Sequence, residues 1–174
     1  AVETSYRRVF ELCSQREVSL PLFRALYGLT SFHLLRAELA TAYTEAQHLL
    51  KVARSLQDPE TLVRAHARLG YIAFWKGDPS TARTHQERSM ALYDQAQPRS
   101  HMGLYNLDNT VTTPAYMSWT LWTLGYPQRA LQVSQEALTH ARNLRHPESL
   151  MHALFMATRQ SQLRGEAVTM QQQV

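Results

Sequence analysis

The 174-residue chain has one cysteine, Cys13, and no apolar run of the roughly 20 residues that a membrane-spanning helix needs. One cysteine cannot form a disulfide within the chain, which excludes a disulfide-stabilised small fold. Because Cys13 shares an apolar helical stripe with Val9 and Phe10, we expect a buried, unreactive thiol. These absences favour a cytoplasmic protein.

Lysine is nearly absent as well, since Lys51 and Lys76 stand against sixteen arginines. The formal net charge at pH 7 is +4. Arginine binds carboxylates and phosphates through two parallel hydrogen bonds and stacks on aromatic rings, so an arginine-rich surface fits an acidic partner. GC-rich codon usage would produce the same bias, and composition alone leaves both interpretations open.

The chain also lacks the usual signatures of catalysis and of metal or nucleotide binding. No glycine-rich phosphate loop of the pattern G-x-x-x-x-G-K occurs. None of the eight histidines lies three or four residues from another, which is the spacing of metal ligands on a helix. The carboxylates are dispersed rather than paired as a general acid and base. We therefore expect no enzymatic activity, no cofactor and no metal site.

A short break centred on glycine recurs along the chain. It is Lys-Gly-Asp-Pro at 76–79, Leu-Gly-Tyr-Pro at 124–127 and Arg-Gly-Glu-Ala at 164–167, and an earlier copy carries Ala37 in place of glycine. Glycine ends a helix because it accepts a left-handed backbone, and proline begins the next because the first turn needs no N–H there. The breaks are 40, 48 and 40 residues apart, which indicates stacked helical hairpins.

Apolar residues recur every three or four positions between these breaks, as in amphipathic helices. The predicted elements are a leading helix near 2–15, hairpins at 19–35/39–56, 60–75/79–95 and 113–124/128–144, and the start of another at 148–164/167–174. No strand is needed. The prediction is one all-α domain spanning 1–174, and a piece of a longer protein because no polar capping repeat is visible.

The second hairpin carries a more specific pattern, with Leu-Gly-Tyr at 69–71 and Phe-Trp-Lys-Gly-Asp at 74–78. A small residue late in the first helix and an alanine five residues past the turn resemble the tetratricopeptide repeat. That alanine recurs as Ala42, Ala82 and Ala130. The period of about 40 exceeds the tetratricopeptide period of about 34 residues.

Longer helices of this kind are similar to the tetratricopeptide-like regions of large bacterial signalling ATPases, the MalT-type regulators and the ATPase–adenylyl cyclase fusions. Arg-Ala-His-Ala-Arg-Leu-Gly at 64–70 and Trp-Thr-Leu-Gly-Tyr-Pro at 122–127 carry this likeness. The resemblance implies a right-handed α-α superhelix of helical hairpins. It also implies a regulatory or sensor region that binds a protein or peptide and contacts other domains of its parent chain.

The resemblance further implies where a ligand binds, because inward positions on the first helix of each hairpin line a groove in such folds. Aligning the turns transfers those positions to Arg24 and Tyr27, to Arg64, Arg68, Tyr71 and Trp75, to Tyr116 and Trp119, and to His152, Phe155 and Arg159. Arginine and aromatic rings together suit an acidic, aromatic-containing peptide. In the alternative, the rings pack between hairpins and the arginines are simply solvated.

The connection at 97–112 is eight residues longer than its equivalents, and connections of that length are often functional. We hypothesise that four of its side chains contact the ligand from the groove edge: Arg99, His101, Tyr105 and Asp108. In the alternative, apolar residues of the segment pin it onto the hairpins.

Two further functions stay open. Helical repeats also bind RNA, and the positive charge fits such a role. Against it, the arginines do not form one stripe and the inward residues differ between hairpins. The other is a homodimer formed through apolar residues near the two ends of the chain, such as Tyr6 and Leu163.

Overall fold

The structure is a computed structural model that describes residues 4–8, 18–95 and 108–165. Residues 4–8, labelled α1, are helical. The other helices are α2 (Leu20–Leu35), α3 (Leu39–Leu56), α4 (Pro59–Trp75), α5 (Pro79–Gln95), α6 (Asn109–Thr123), α7 (Pro127–Leu144) and α8 (Pro147–Leu163). The described ranges contain no strand, and the all-α prediction is confirmed. None of the helices in these ranges is both long and apolar enough to cross a bilayer.

The boundaries of α2 to α8 agree with the predicted ones to within one residue, apart from the start of α6. That helix begins at Asn109 rather than at 113, because the carboxylate of Asp108 accepts a 2.7 Å hydrogen bond from the N–H of Thr110. Pro114 then lies inside the helix, beyond the first turn that proline prefers.

The three inner turns of the hairpins are closed by the same two backbone hydrogen bonds. After α4, the N–H of Gly77 donates to the carbonyl of Phe74 and that of Asp78 to the carbonyl of Ala73. Equivalent pairs of bonds form around Ala37 and Gly125. All three turn residues have positive φ, including 59° at Ala37 and 82° at Gly77. The predicted breaks are therefore real helix ends of the Schellman type.

The chain divides into two compact units, residues 1–96 and 97–174. In the first unit, α3 packs against both α2 and α4, and α5 packs against α4. Its core includes Phe23, Leu49, Leu69 and Ile72. Ala42 and Ala82, each five residues past a turn, are fully buried, since a small side chain lets the two helices of a hairpin approach closely.

In the second unit, α6, α7 and α8 pack on one another. One apolar cluster of buried residues contains Val111, Leu138, Ala141 and Ala153. A second contains Ala115, Ala137 and Met156. Both units thus bury alanine-rich helix faces, the packing that the repeat pattern predicts.

Candidate functional site

In the first unit, predicted ligand-binding residues of two neighbouring first helices come together. Tyr27 lies on α2, and Arg68, Tyr71 and Trp75 lie on α4; we call these four residues the Arg68 surface. The three on α4 share one helix face because they are three and four residues apart. Exposure increases toward the C-terminal end of α4: Arg68 and Tyr71 are half-buried, whereas Trp75 is 47% exposed.

The guanidinium group of Arg68 stacks on the ring of Tyr27, with 4.0 Å between its central carbon and the ring centroid. The attraction between a cation and an aromatic face holds it there. Its Nε is buried and has no hydrogen-bond acceptor. Within residues 4–8, 18–95 and 108–165, no carboxylate or carbonyl binds this guanidinium. Arg68 is thus a partly desolvated cation with hydrogen-bonding capacity left over.

Aromatic contacts fix the ring of Trp75. It meets the ring of Tyr71 edge-on at 6.3 Å between centroids, and that of Phe74 edge-on at 5.6 Å. Such edge-to-face pairs restrain ring orientation. A rigid indole that is nearly half exposed offers apolar area to a ligand at low entropic cost.

Arg64, also predicted to contact a ligand, lies one turn before Arg68 on α4 and is buried. It is only 4% exposed, and its Nε and Nη2 donate to Oε1 of Glu60 at 3.0 and 2.9 Å. The partner stands one turn earlier on the same helix, so the guanidinium is neutralised within α4. We therefore leave Arg64 out of the surface proposed to bind. On α2, by contrast, Arg24 is exposed.

In the second unit, Tyr116 of α6 meets His152 of α8, and Trp119 lies against Tyr116 on the same helix. The rings of Tyr116 and His152 are 5.5 Å apart, and those of Tyr116 and Trp119 are 6.4 Å apart. The indole Nε1 of Trp119 donates a 3.0 Å hydrogen bond to the carbonyl of Met156. That bond ties α6 to α8, so Trp119 packs between hairpins, as the structural alternative predicts.

The Nδ1 of His152 is buried and has no hydrogen-bond partner among the residues that the structure describes, and burial lowers the pKa of this side chain. Phe155, by contrast, is 58% exposed. Arg159 is exposed too, and its Nη1 donates a 2.8 Å hydrogen bond to Oε1 of Gln162. The predicted residues of α8 therefore divide into one packed ring and two accessible side chains.

Of the four side chains predicted to bind from the long connection, only Asp108 lies within the described residues. Its carboxylate caps α6 by accepting from the N–H and the hydroxyl of Thr110 at 2.7 and 2.6 Å. Its own N–H donates to Oγ of Ser149 at 3.1 Å. Asp108 thus holds α6 against α8, whereas Arg99, His101 and Tyr105 lie outside the described residues.

Sequence spacing missed one close pair of titratable groups. His66 on α4 and His85 on α5 approach to 2.9 Å between their Nδ1 atoms. Burial, together with the charge that His85 would carry, lowers the pKa of His66 to about 4, and burial also lowers the pKa of His85. Both rings are therefore neutral at pH 7, one Nδ1 donating and the other accepting.

The sequence did carry a signal for this pair. His66 is 11 residues before Gly77, and His85 is eight residues after it. A hairpin that turns at Gly77 therefore brings the two residues to similar positions along its two helices. No set of three His, Cys, Asp or Glu side chains suited to a metal ion occurs among the residues that the structure describes.

No protein-family model and no curated protein matches the chain. Solved structures do match. A crystal structure of a putative kinesin light chain with nearly identical TPR-like repeats from Podosopora anserina is similar with a TM-score of 0.67, and a single-substitution variant of it with 0.69. Each is 12% identical, and the match covers 98% of this chain and 81% of the other. With its seven described hairpin helices, this chain has the all-α, TPR-like repeat fold.

Proposed function

We propose that this chain is a protein- or peptide-binding scaffold rather than an enzyme, and that the Arg68 surface contacts the partner. The observation that carries the proposal is the meeting of Tyr27 on α2 with Arg68 on α4. The sequence resemblance assigns both residues to inward positions of neighbouring hairpins, and on the same face of α4 as Arg68 the ring of Trp75 is held by Tyr71 and accessible. Repeat folds of stacked hairpins commonly bind through such extended surfaces.

We further propose that the scaffold is the sensor or regulatory region of a cytoplasmic bacterial signalling ATPase or cyclase. The support is the sequence resemblance at 64–70 and 122–127 to the repeat regions of MalT-type regulators. In that setting, binding of the partner would be communicated to catalytic or output domains of the parent chain.

The binding role is tested with a random peptide library presented to the 174-residue chain and to Trp75→Ala. We expect peptides that bind the unaltered chain to bind Trp75→Ala at least tenfold more weakly, because a rigid, accessible indole supplies hot-spot area. Tyr126→Ala is the matched control, since Tyr126 is an exposed aromatic residue of the second unit. Absence of peptide binding, with salt-sensitive binding of single-stranded RNA instead, would contradict the proposal.

A further inference from the structure

We infer that Arg68 binds an acidic side chain of the partner, and that Trp75 binds an apolar side chain three residues away along the same peptide. This inference rests on the proposed binding function and specifies the chemistry of the peptide. Two observations carry it. The hydrogen-bonding capacity of the Arg68 guanidinium is incompletely used, and Trp75 lies at a defined distance from Arg68 along α4.

The first argument is the incomplete hydrogen bonding of Arg68. One face of its guanidinium is covered by the ring of Tyr27, and its Nε is buried without an acceptor. Because Nε is shielded from solvent, the guanidinium group is partly desolvated, and a carboxylate that binds the remaining, more accessible part of the group would form charge-assisted hydrogen bonds with it. The stack on Tyr27 also holds the plane of the guanidinium, so little entropy is lost when a carboxylate binds.

The neighbouring cations explain why the ligand is a single carboxylate. Arg64, one turn earlier, is buried and paired with Glu60. Lys76, directly after α4, places Nζ 4.4 Å from the centroid of the Tyr43 ring. The cations before and after Arg68 are thus engaged, and Arg24 of α2 is the exposed cation that remains near Tyr27. A phosphate backbone is bound by rows of available cations, whereas one guanidinium matches one carboxylate.

The spacing within the peptide follows from the helix. Trp75 is seven residues after Arg68, which corresponds to about 10 Å along the axis of α4. An extended polyproline II peptide advances about 9 Å in three residues and presents side chains three residues apart on the same side. A peptide lying along α4 therefore meets Arg68 with an acidic residue and Trp75 with an apolar residue three positions away. Tyr71 lies between them.

The carboxylate is assigned to a side chain within the peptide rather than to its C-terminus. Short connections at 36–38 and 57–58 make α3 antiparallel to both α2 and α4, so α2 and α4 run in the same direction. Exposed Arg24 precedes Tyr27 on α2, while Trp75 follows Arg68 on α4. The accessible surface therefore extends on both sides of the contact between Tyr27 and Arg68, which suits a peptide that continues past it.

The test uses the 174-residue chain and fluorescein-labelled octapeptides with acetylated and amidated ends, carrying glutamate and leucine three residues apart. We expect saturable binding that weakens at least tenfold when the peptide glutamate becomes glutamine, since a hydrogen bond to a charged group is lost. Arg68→Gln should weaken binding of the glutamate peptide equally and leave binding of the glutamine peptide unchanged. A peptide in which the leucine directly follows the glutamate should also bind more weakly than the original glutamate peptide.

Three controls separate the inference from the broader proposal. Arg83→Gln removes an arginine of α5 whose side chain is 40% exposed, and it should leave affinity unchanged. Arg68→Lys keeps the charge without the planar fork and should bind more weakly than the unaltered chain. A peptide with glutamine and a free C-terminal carboxylate should bind no better than its blocked form.

Equal binding of the glutamate and glutamine peptides, or equal affinity of Arg68→Gln and the unaltered chain, would overturn the inference. The binding function would still stand if library peptides depended on Trp75. Preference for the free C-terminal carboxylate would overturn the assignment to an internal side chain. Absence of binding by every blocked peptide would also overturn the inference, and the library experiment would then decide the broader proposal separately.

Discussion

At the scale of single residues, each side chain's role depends on the partner that its turn or helix supplies. Arg64 and Arg68 are one helical turn apart, yet one is paired with Glu60 and buried, while the other stacks on Tyr27. Their sequence pattern predicts a shared helix face but not which arginine has a carboxylate within reach. The same holds for His66 and His85, whose contact depends on the register of a whole hairpin.

The turn after α2 provides a direct test of backbone strain. Ala37 has φ of 59°, a conformation in which glycine is more stable than alanine. We expect Ala37→Gly to raise the free energy of unfolding by about 0.5–1 kcal/mol, measured by urea denaturation.

The reverse substitution, Gly77→Ala, should lower the free energy of unfolding by about 1 kcal/mol. No atom lies within 4 Å of the Cβ that alanine would add at Gly77, so the effect would come from the backbone alone. If Ala37→Gly and the unaltered chain have equal free energies of unfolding, the turn at Ala37 is not strained.

The histidine pair predicts a loss of stability in acid. The folded pKa of His66 is about 4, below its ordinary value of 6.5, so the unfolded state binds more protons between these values. The associated stability is complete above pH 6.5 and is lost as the pH falls toward 4. We expect a loss of roughly 1–2 kcal/mol, reduced by solvent at this partly buried site.

Urea denaturation at pH 7 and pH 4.5 measures this loss. Replacing both residues, as His66→Gln with His85→Gln, should reduce the difference between the two pH values. His48→Gln, at an exposed position, is the control and should leave the difference unchanged. An unchanged difference in the double variant would contradict the account.

At the scale of elements, the repeat pattern predicts helices well because one sequence signal marks where a helix ends and another marks where the next begins. A Schellman turn ends the first helix of a hairpin, and a capping residue or proline begins the next. The start of α6 escaped prediction because Asp108 supplies its cap from within the long connection, five residues before the predicted start. Periodicity marks the middle of a helix more strongly than its first turn.

The cap of α4 can be tested in isolation. The carboxylate of Asp58 accepts a 2.9 Å hydrogen bond from the N–H of Thr61. We expect Asp58→Ala to lower the free energy of unfolding by about 1 kcal/mol, whereas Asp58→Asn should retain most of the stability because asparagine also caps helices. A loss close to zero in Asp58→Ala would indicate that the cap contributes little.

A second test at this scale concerns the link between α6 and α8. Trp119→Phe removes the hydrogen bond from the indole to the carbonyl of Met156. We expect a loss of about 1 kcal/mol in the free energy of unfolding. Peptide affinity should stay unchanged, because Trp119 is assigned to packing. A large loss of affinity in a variant that is still fully folded would contradict that assignment.

At the scale of the whole molecule, the fold follows from the spacing of the breaks, and the binding surface follows only in part. Spacing predicted that Arg68, Tyr71 and Trp75 share one face of a helix with Arg64, and the family resemblance assigned Tyr27 to the same groove. The structure brings Tyr27 and Arg68 into contact. The sequence could not predict which of these side chains stay accessible, because burial depends on neighbours distant in sequence. Two first helices meet through the stack of Arg68 on Tyr27 in the first unit, and through the rings of Tyr116 and His152 in the second.

The most direct test of the central claim, that the Arg68 surface binds a peptide, is the fluorescence of Trp75 alone. In a chain carrying Trp119→Phe and Trp122→Phe, only Trp75 reports. Titration with the blocked glutamate–leucine peptide should shift its emission saturably to shorter wavelength, since the bound leucine removes water from the exposed indole. Saturable binding that leaves the emission of Trp75 unchanged would place the ligand elsewhere and contradict the account.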